Sequence, residues 1–288
     1  MKMEEVIALV LAAGKGTRMK SKLPKVLHKA GGVPMVGQVL RAVKDAGTKR
    51  EIVVVGFGAE AVTAYVGETA ETVVQKEQLG TGHAVLQAES LLQGEKGILL
   101  VTCGDTPLVR TETFRALLDC HKKTQASATV LTACMPDPAG YGRVIRSADG
   151  KVSKIVEQKD GTSQELAVNE VNAGIYCFEL PELWELLHRI GNNNAQGEYY
   201  LTDIIGMLVA DGKTVSAVAA EDYRETLGVN SRLQLAQAEK ILRERKLEEL
   251  MTEGVTVQDP SNTYVETTVT VGRDTVLYAG TVLEGRTV

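Results

Sequence analysis

Apolar and polar positions along the first ~130 residues fall into two alternating patterns. Val6 to Leu11 is an unbroken apolar run, and so are the centres of EIVVVG (Glu51 to Gly56), GILLVTCGD (Gly97 to Asp105) and SATVLTA (Ser127 to Ala133). Thr72 to Gln75 is a shorter run. Runs of this length bounded by turn residues suit strands buried on both faces. Between them lie amphipathic stretches such as Val33 to Gly47, which ends on a glycine and reads as a helix. Strands alternating with helices predict an α/β, Rossmann-like, mostly parallel sheet with helices on both faces. Ligands bind such sheets at the carboxyl ends of the strands. The loop after Leu11 and Asp105 both follow strands, so both are expected on that rim.

The pattern changes at Pro136. PAGYGRVIRSADGKVSKIVEQKD alternates around an Asp149-Gly150 turn and reads as a hairpin. NEVNAGIYCFEL (Asn169 to Leu180) reads as a further strand. Together they predict an inserted β-layer over the mouth of the sheet. NNNAQGEYYLTDIIGML (Asn192 to Leu208) is polar, rich in amides and tyrosines, and runs into a helix. Val229 to Glu253 is a long amphipathic helix with its charges expected mainly in water. VGRDTV, LYAGTV and LEGRTV, from Val271 to Val288, are three six-residue units ending Thr-Val, a period that marks a β-helix. About one coil is present and the repeat stops mid-pattern, so the chain is expected to be cut short. The expected organisation is a catalytic domain at 1–228, a linker helix at 229–253 and the start of a hexapeptide β-helix at 254–288.

Composition excludes several classes. Hydrophobic residues make up 44% and charged residues 24% of 288, ordinary for a globular chain. The apolar runs are far shorter than the ~20 residues of a membrane span. The start, MKMEEVIALVLAAGKG, faintly resembles a signal peptide, but Glu4 and Glu5 replace the positive n-region and the segment reads as the first strand. Cys103, Cys120, Cys134 and Cys177 show no C-x-x-C spacing. Buried reduced thiols and a cytoplasmic location are expected.

Charge adds a local inversion. The formal net charge is -5, yet Lys15, Arg18, Lys20, Lys22, Lys25 and Lys29 crowd together without an acid. The same loop holds Ala12, Ala13, Gly14 and Gly16, against whose backbone a ligand can lie. A phosphate site or a solvated basic loop both fit. A P-loop is excluded by spacing. The dinucleotide fingerprint fails at Met19, where its third Gly or Ala belongs, which disfavours a nicotinamide-dependent dehydrogenase. Asp105, beside Gly104, can meet a nucleotide-held Mg²⁺ or simply form the turn before Thr106-Pro107. Gly80 and Gly82 flank Thr81, which offers a close backbone approach or a helix N-cap. Asn230 is an N-cap or a metal ligand. His83 reads more readily as structural than as catalytic.

The pattern L-x-x-G-x-G-T-R-M followed by P-K is filled by Leu11, Gly14, Gly16, Thr17, Arg18, Met19, Pro24 and Lys25. It resembles the signature loop of sugar-phosphate nucleotidyltransferases. With LAAGKGTRM, LPKVLH, QLGTGHA, GYGR, NNNAQGEYYLTD and GVNSR, essentially the whole chain resembles the bacterial N-acetylglucosamine-1-phosphate uridylyltransferases. These are bifunctional enzymes that also acetylate glucosamine 1-phosphate. The resemblance implies UTP and N-acetylglucosamine 1-phosphate as substrates and UDP-N-acetylglucosamine as product, with neither nucleic acid nor membrane as partner. It implies that Leu11, Ala12, Ala13, Gly14, Gln75, Gly80 and Thr81 hold the uridine. Arg18 and Lys25 would contact phosphates as the catalytic pair. Gly142, Glu157 and Asn172 would hold the sugar, and Asp105 and Asn230 would bind Mg²⁺ beside the substrate. The family's second domain is a trimerising left-handed β-helix that uses acetyl-CoA, and almost all of it is missing here. A sister enzyme with another sugar or base is the alternative.

Overall fold

The structure, a computed structural model, describes residues 5–288. Residues 1–4, where the leader-like reading begins, lie outside it. The chain opens with β1 (Val6–Ala12), a short β2–β3 pair (Lys29–Ala30, Val33–Pro34) and α1 (Met35–Asp45). Then come β4 (Arg50–Val55), α2 (Ala59–Val66), β5 (Glu71–Val74), α3 (Thr81–Leu86), β6 (Gly97–Cys103), α4 (Thr111–Thr124) and β7 (Ala128–Cys134). The second half holds β8 (Arg143–Arg146), β9 (Val152–Val156), α5 (Ser163–Leu166), β10 (Glu170–Leu180), α6 (Glu182–Leu187), α7 (Asp203–Ala210) and β11 (Val215–Ala219). A long α8 (Arg232–Thr252) precedes four two-residue strands: β12 (Thr256–Val257), β13 (Tyr264–Val265), β14 (Val276–Leu277) and β15 (Val282–Leu283).

The main sheet runs β11-β7-β10-β6-β1-β4-β5. Every strand of that path points the same way except β10, which is antiparallel to both β6 and β7. The unbroken apolar runs follow from burial on both faces. Ile7 and Leu9 of β1 join a cluster with Val85, Trp184 and Ile204. Val6, Ala8 and Val10 join the opposite cluster with Val39, Val62 and Phe114. At about 25 cal/mol per Å² of apolar surface, such residues dominate the stabilisation.

Three expectations change. The Asn169–Leu180 strand is not part of a separate layer: β10 lies inside the main sheet, and only the β8–β9 hairpin extends it, through Val171 opposite Arg143. Ile175 and Cys177 pack on one face and Tyr176 and Phe178 on the other, so β10 needs a covered place in the sheet. The second is α8. Its first half packs on the main-sheet domain (Ala238 and Leu242 with Ala30, Met35 and Leu108), and its second half carries the C-terminal strands (Leu247 and Leu250 with Val255, Val265 and Leu277). Lys240, Glu244, Glu248 and Glu249 are solvated, but Lys246 is only 7% exposed and Arg243 lies over the Tyr264 ring, 4.4 Å from its centroid. Third, all four cysteines are free as expected, but Cys134 is exposed because it ends β7 beyond the sheet's cover. The hexad junctions Val276-Leu277 and Val282-Leu283 pair in parallel with Thr256-Val257 and Tyr264-Val265. Among the described residues no helix is long and apolar enough to cross a membrane.

Candidate functional site

The site is built on the strand ends. β1 delivers Ala12, Ala13 and Gly14 to the rim, and a 3-10 turn (Thr17–Met19) follows. Gly16 sits at φ +59, and a Cβ there would lie 2.6 Å from Cβ of Lys25. Only glycine lets the Lys25 stem pass beneath the loop. Lys25 opens a second 3-10 turn after Pro24.

On β6 the ladder is prolonged by Gly104, whose N–H donates to the Leu11 carbonyl at 2.9 Å. Asp105 comes next, its carboxylate paired with the Lys25 ammonium. The Asp105 carbonyl accepts from Val229 N–H at 2.8 Å, which brings the start of α8 to the rim. There Asn230 Oδ1 accepts from Lys25 Nζ at 2.8 Å. The helix cap is Ser231, which accepts from Gln234 N–H, so the N-cap reading of Asn230 is replaced by a contact with Lys25.

A cavity of about 260 Å³ opens beside this triad. Leu11, Ala12, Ala13 and Gly14 line one side, and Gln75, Gly80 and Thr81 another, with Lys25, Asp105 and Cys103 also on its wall. Nine residues singled out from the sequence thus share one space. Thr81 is not the N-cap of α3: the cap is Gly80, and the Thr81 hydroxyl accepts from Leu201 N–H at 3.1 Å. That contact closes the amide-rich stretch onto the cavity. Tyr199 N–H donates to the Leu79 carbonyl and Gly82 N–H to the Tyr199 carbonyl, both at 2.8 Å. Asn194 ties the turn, its Oδ1 accepting from Gln196 and Glu198 N–H and its Nδ2 donating to the Glu198 carbonyl.

Gly142, Glu157 and Asn172 form a second cluster. Asn172 N–H donates to the Gly142 carbonyl at 2.9 Å, and Asn172 Nδ2 donates to the Tyr176 hydroxyl at 2.6 Å. Glu157 accepts from the Thr202 hydroxyl at 3.0 Å. Burial pushes the Glu157 carboxyl up, against the pull of that hydrogen bond. Burial likewise pushes up the Tyr176 phenol. Cys103 joins the two regions: it lines the cavity, and its Sγ donates to the Gly174 carbonyl at 3.8 Å. Burial and the Asp105 carboxylate push that thiol up to about 12, so it stays protonated.

Arg18 is not brought in: it is exposed and does not line the cavity. Gln78, Cys103 and Glu198 line it without having been singled out individually. Gln78 and Glu198 could have been found, since both stand in motifs already marked for recognition. Cys103 could not, because a thiol in an apolar strand carries no local signal.

Asp105 and Asn230 offer two hard oxygens converging on one cation, the Lys25 ammonium. That donor set fits Mg²⁺, which takes one or two protein oxygens and fills its shell with phosphate and water. Among the described residues no group of three or more His, Cys, Asp or Glu could hold a metal alone.

The chain is 55% identical over 281 residues to the Bifunctional protein GlmU of Geobacillus sp. (strain WCH70), covering 98% of the chain and 61% of that protein. It is 50% identical to the protein of the same name from Halalkalibacterium halodurans, covering 99% of the chain and 63% of the relative. The chain therefore spans about three-fifths of the length of these curated relatives. A crystal structure of UDP-glucose pyrophosphorylase complexed with UDP-glucose superposes with a TM-score of 0.67 at 17% identity, over 84% of this chain and all of that one, which is a likeness of fold. The family described as the MobA-like NTP transferase domain matches residues 8–154, from the first strand through the β8–β9 hairpin. By that match, seated on the strands that build the cavity, the chain belongs to the MobA-like NTP transferase domain family.

Proposed function

We propose that the chain transfers a uridylyl group from UTP to N-acetylglucosamine 1-phosphate, giving UDP-N-acetylglucosamine and pyrophosphate for cell-wall precursors. The observation that carries the reading is the single cavity shared by the Leu11–Gly14 backbone, Gln75, Gly80-Thr81, Lys25 and Asp105, with Asn230 hydrogen-bonded to Lys25. The name borne by the relatives at 50–55% identity supports it. Leu11 to Gly14, Gln75, Gly80 and Thr81 receive the uridine, and the Glu157 and Asn172 cluster receives the sugar.

A sugar-phosphate oxygen attacks the α-phosphorus in line. The new P–O bond forms as the bond to the β-phosphate oxygen breaks, and pyrophosphate leaves with that electron pair. The attacking phosphate has a second pKa of about 6, so it is already largely dianionic at pH 7. No protein base is needed, which matches a cavity wall without histidine. Mg²⁺ held by Asp105 and Asn230 would supply neutralisation of the triphosphate's charge. Lys25 and the loop backbone orient the phosphates, so positioning and electrostatics carry the rate. Arg18 reaches phosphate only if the exposed loop folds inward over bound nucleotide.

Residues 254–288 are proposed as the first coil of a left-handed β-helix, through which the whole protein would trimerise and acetylate glucosamine 1-phosphate in the cytoplasm. The test is pyrophosphate release from UTP, N-acetylglucosamine 1-phosphate and Mg²⁺, with glucose 1-phosphate and dTTP in parallel. Rapid release with the first pair alone is expected. Release with another sugar or base instead would make this a sister nucleotidyltransferase.

A further inference from the structure

Gln75 is a constrained polar side chain on the cavity wall, and one of its two side-chain contacts reaches outside the cavity. Gln75 follows β5, and its N–H donates to the Val55 carbonyl at 2.8 Å, one more rung of the ladder. The residue is 3% exposed. Its side-chain nitrogen donates to the Gly80 carbonyl at 3.2 Å. A carbonyl has no proton to give, so nitrogen must stand at that end of the amide. The same nitrogen lies 3.0 Å from Nδ1 of His83. An amide NH₂ only donates, so this contact is a hydrogen bond in the tautomer whose Nδ1 accepts and whose ring proton sits on Nε2. Nε2 lies 3.2 Å from the Gln87 amide nitrogen, which already donates to the His83 carbonyl at 2.9 Å. A neutral ring accepts at one nitrogen only, and Gln75 is the nearer donor.

With both amide protons taken, Gln75 Oε1 meets no donor among the described residues, although its side chain is buried on the cavity wall. An acceptor left open on the wall of a cavity in this way is placed for a ligand N–H. We infer that His83 is a positioning residue that locks the Gln75 amide with its oxygen toward the cavity and thereby selects the nucleobase. The inference rests on the uridylyl reading of the site. Uracil carries a proton on N3, which an oxygen acceptor receives. Cytosine has a lone pair at that atom, which the same oxygen repels. Without the acceptor at Nδ1, only the Gly80 carbonyl still holds the amide nitrogen, so turning the amide over to present NH₂, which suits cytosine as well, costs less. Polar pairing of this kind is where large discrimination comes from, because the wrong partner leaves a buried group unpaired.

The experiment measures equilibrium binding of UTP and of CTP by calorimetry, with kcat/KM for each nucleotide beside it. His83→Phe keeps a ring against Tyr199, whose own ring centroid lies 6.5 Å away, and removes the acceptor. His83→Asn places an amide oxygen near the position of Nδ1 and restores it. The wild type is expected to prefer UTP. His83→Phe should narrow that preference at least about 10-fold, with His83→Asn retaining it. His83→Ala reports the same ratio should the phenylalanine crowd the site. An unchanged ratio in both acceptor-free variants, with affinity for both nucleotides lowered alike, would make His83 merely structural and overturn the inference. A wild type that binds UTP no better than CTP would overturn the uridine reading itself, and the inference with it.

Discussion

Lys25→Met removes the ammonium that Asp105 and Asn230 share, and its effect on metal binding can be worked out from the pair. The Lys25 and Asp105 side chains are 13% and 18% exposed. Exposed ion pairs contribute about 0.2–1 kcal/mol. Breaking a fully buried pair costs about 3–5 kcal/mol. This pair lies between, at about 2 kcal/mol. A divalent cation that takes Asp105 and Asn230 in the nucleotide-free protein must first displace Lys25, so its affinity is lowered by that amount, about 30-fold. Methionine keeps the length of the apolar stem under Gly16 and drops the charge. Free Mn²⁺ counted by electron paramagnetic resonance, without nucleotide, gives the affinity directly. Lys25→Met is expected to bind Mn²⁺ about 30-fold more tightly than wild type. Adding Asp105→Ala should abolish the gain. Without metal, the single variant should also unfold at a lower temperature, since Asp105 has lost its counter-charge, and saturating Mn²⁺ should restore it. Equal or weaker Mn²⁺ binding by Lys25→Met would refute the competition between lysine and metal for the two oxygens.

Asp105→Ala should lower kcat at least about 100-fold, equivalent to about 2.7 kcal/mol, with an unchanged circular dichroism spectrum. Near-normal turnover would remove Asp105 from the site. Gly80→Ala places a Cβ 2.6 Å from the Tyr199 carbonyl oxygen at φ +114. Strain and overpacking together should destabilise by about 3 kcal/mol, read from chemical denaturation, and weaken UTP binding. Glu157 is held above the ordinary carboxylate range by burial, so the folded state binds its proton more tightly than the unfolded chain does. Stability from this group therefore falls as pH rises from the unfolded pKa through the raised folded one. Glu157→Gln should raise the melting temperature at pH 7.5 and lose that advantage at pH 4. An equal gain at both values would mean that ionisation of Glu157 is not the cause.

Much of the site was legible because its parts are local. A glycine-rich loop after an apolar run, an acid at a strand end and glycines around Thr81 each carry their chemistry within a few residues. Arg18 stood out for the same reason, as one of a crowd of cations, but charge density does not say which cation is turned inward. The Lys25 stem passes under Gly16, whereas Arg18 lies on the outside of the same loop. The importance of His83 was invisible, because it depends on a contact with Gln75 that closes only when α3 packs beside the end of β5.

By itself the sequence determined the strands β1, β4, β5, β6 and β7, the helices α1 and α8 and the rim, since period and apolar content record which backbone segments are buried and on how many faces. Only the tertiary structure decided that β10 enters the sheet antiparallel between β6 and β7. A strand buried on both faces has the same composition in either direction, so nothing local marks its orientation. Tertiary structure also decided that Asn230 meets Lys25 across 205 positions of chain, and that the amide-rich stretch closes on Leu79 to Gly82. Those contacts depend on where the sheet order returns the chain, and no local pattern of residues encodes a distance between segments so far apart.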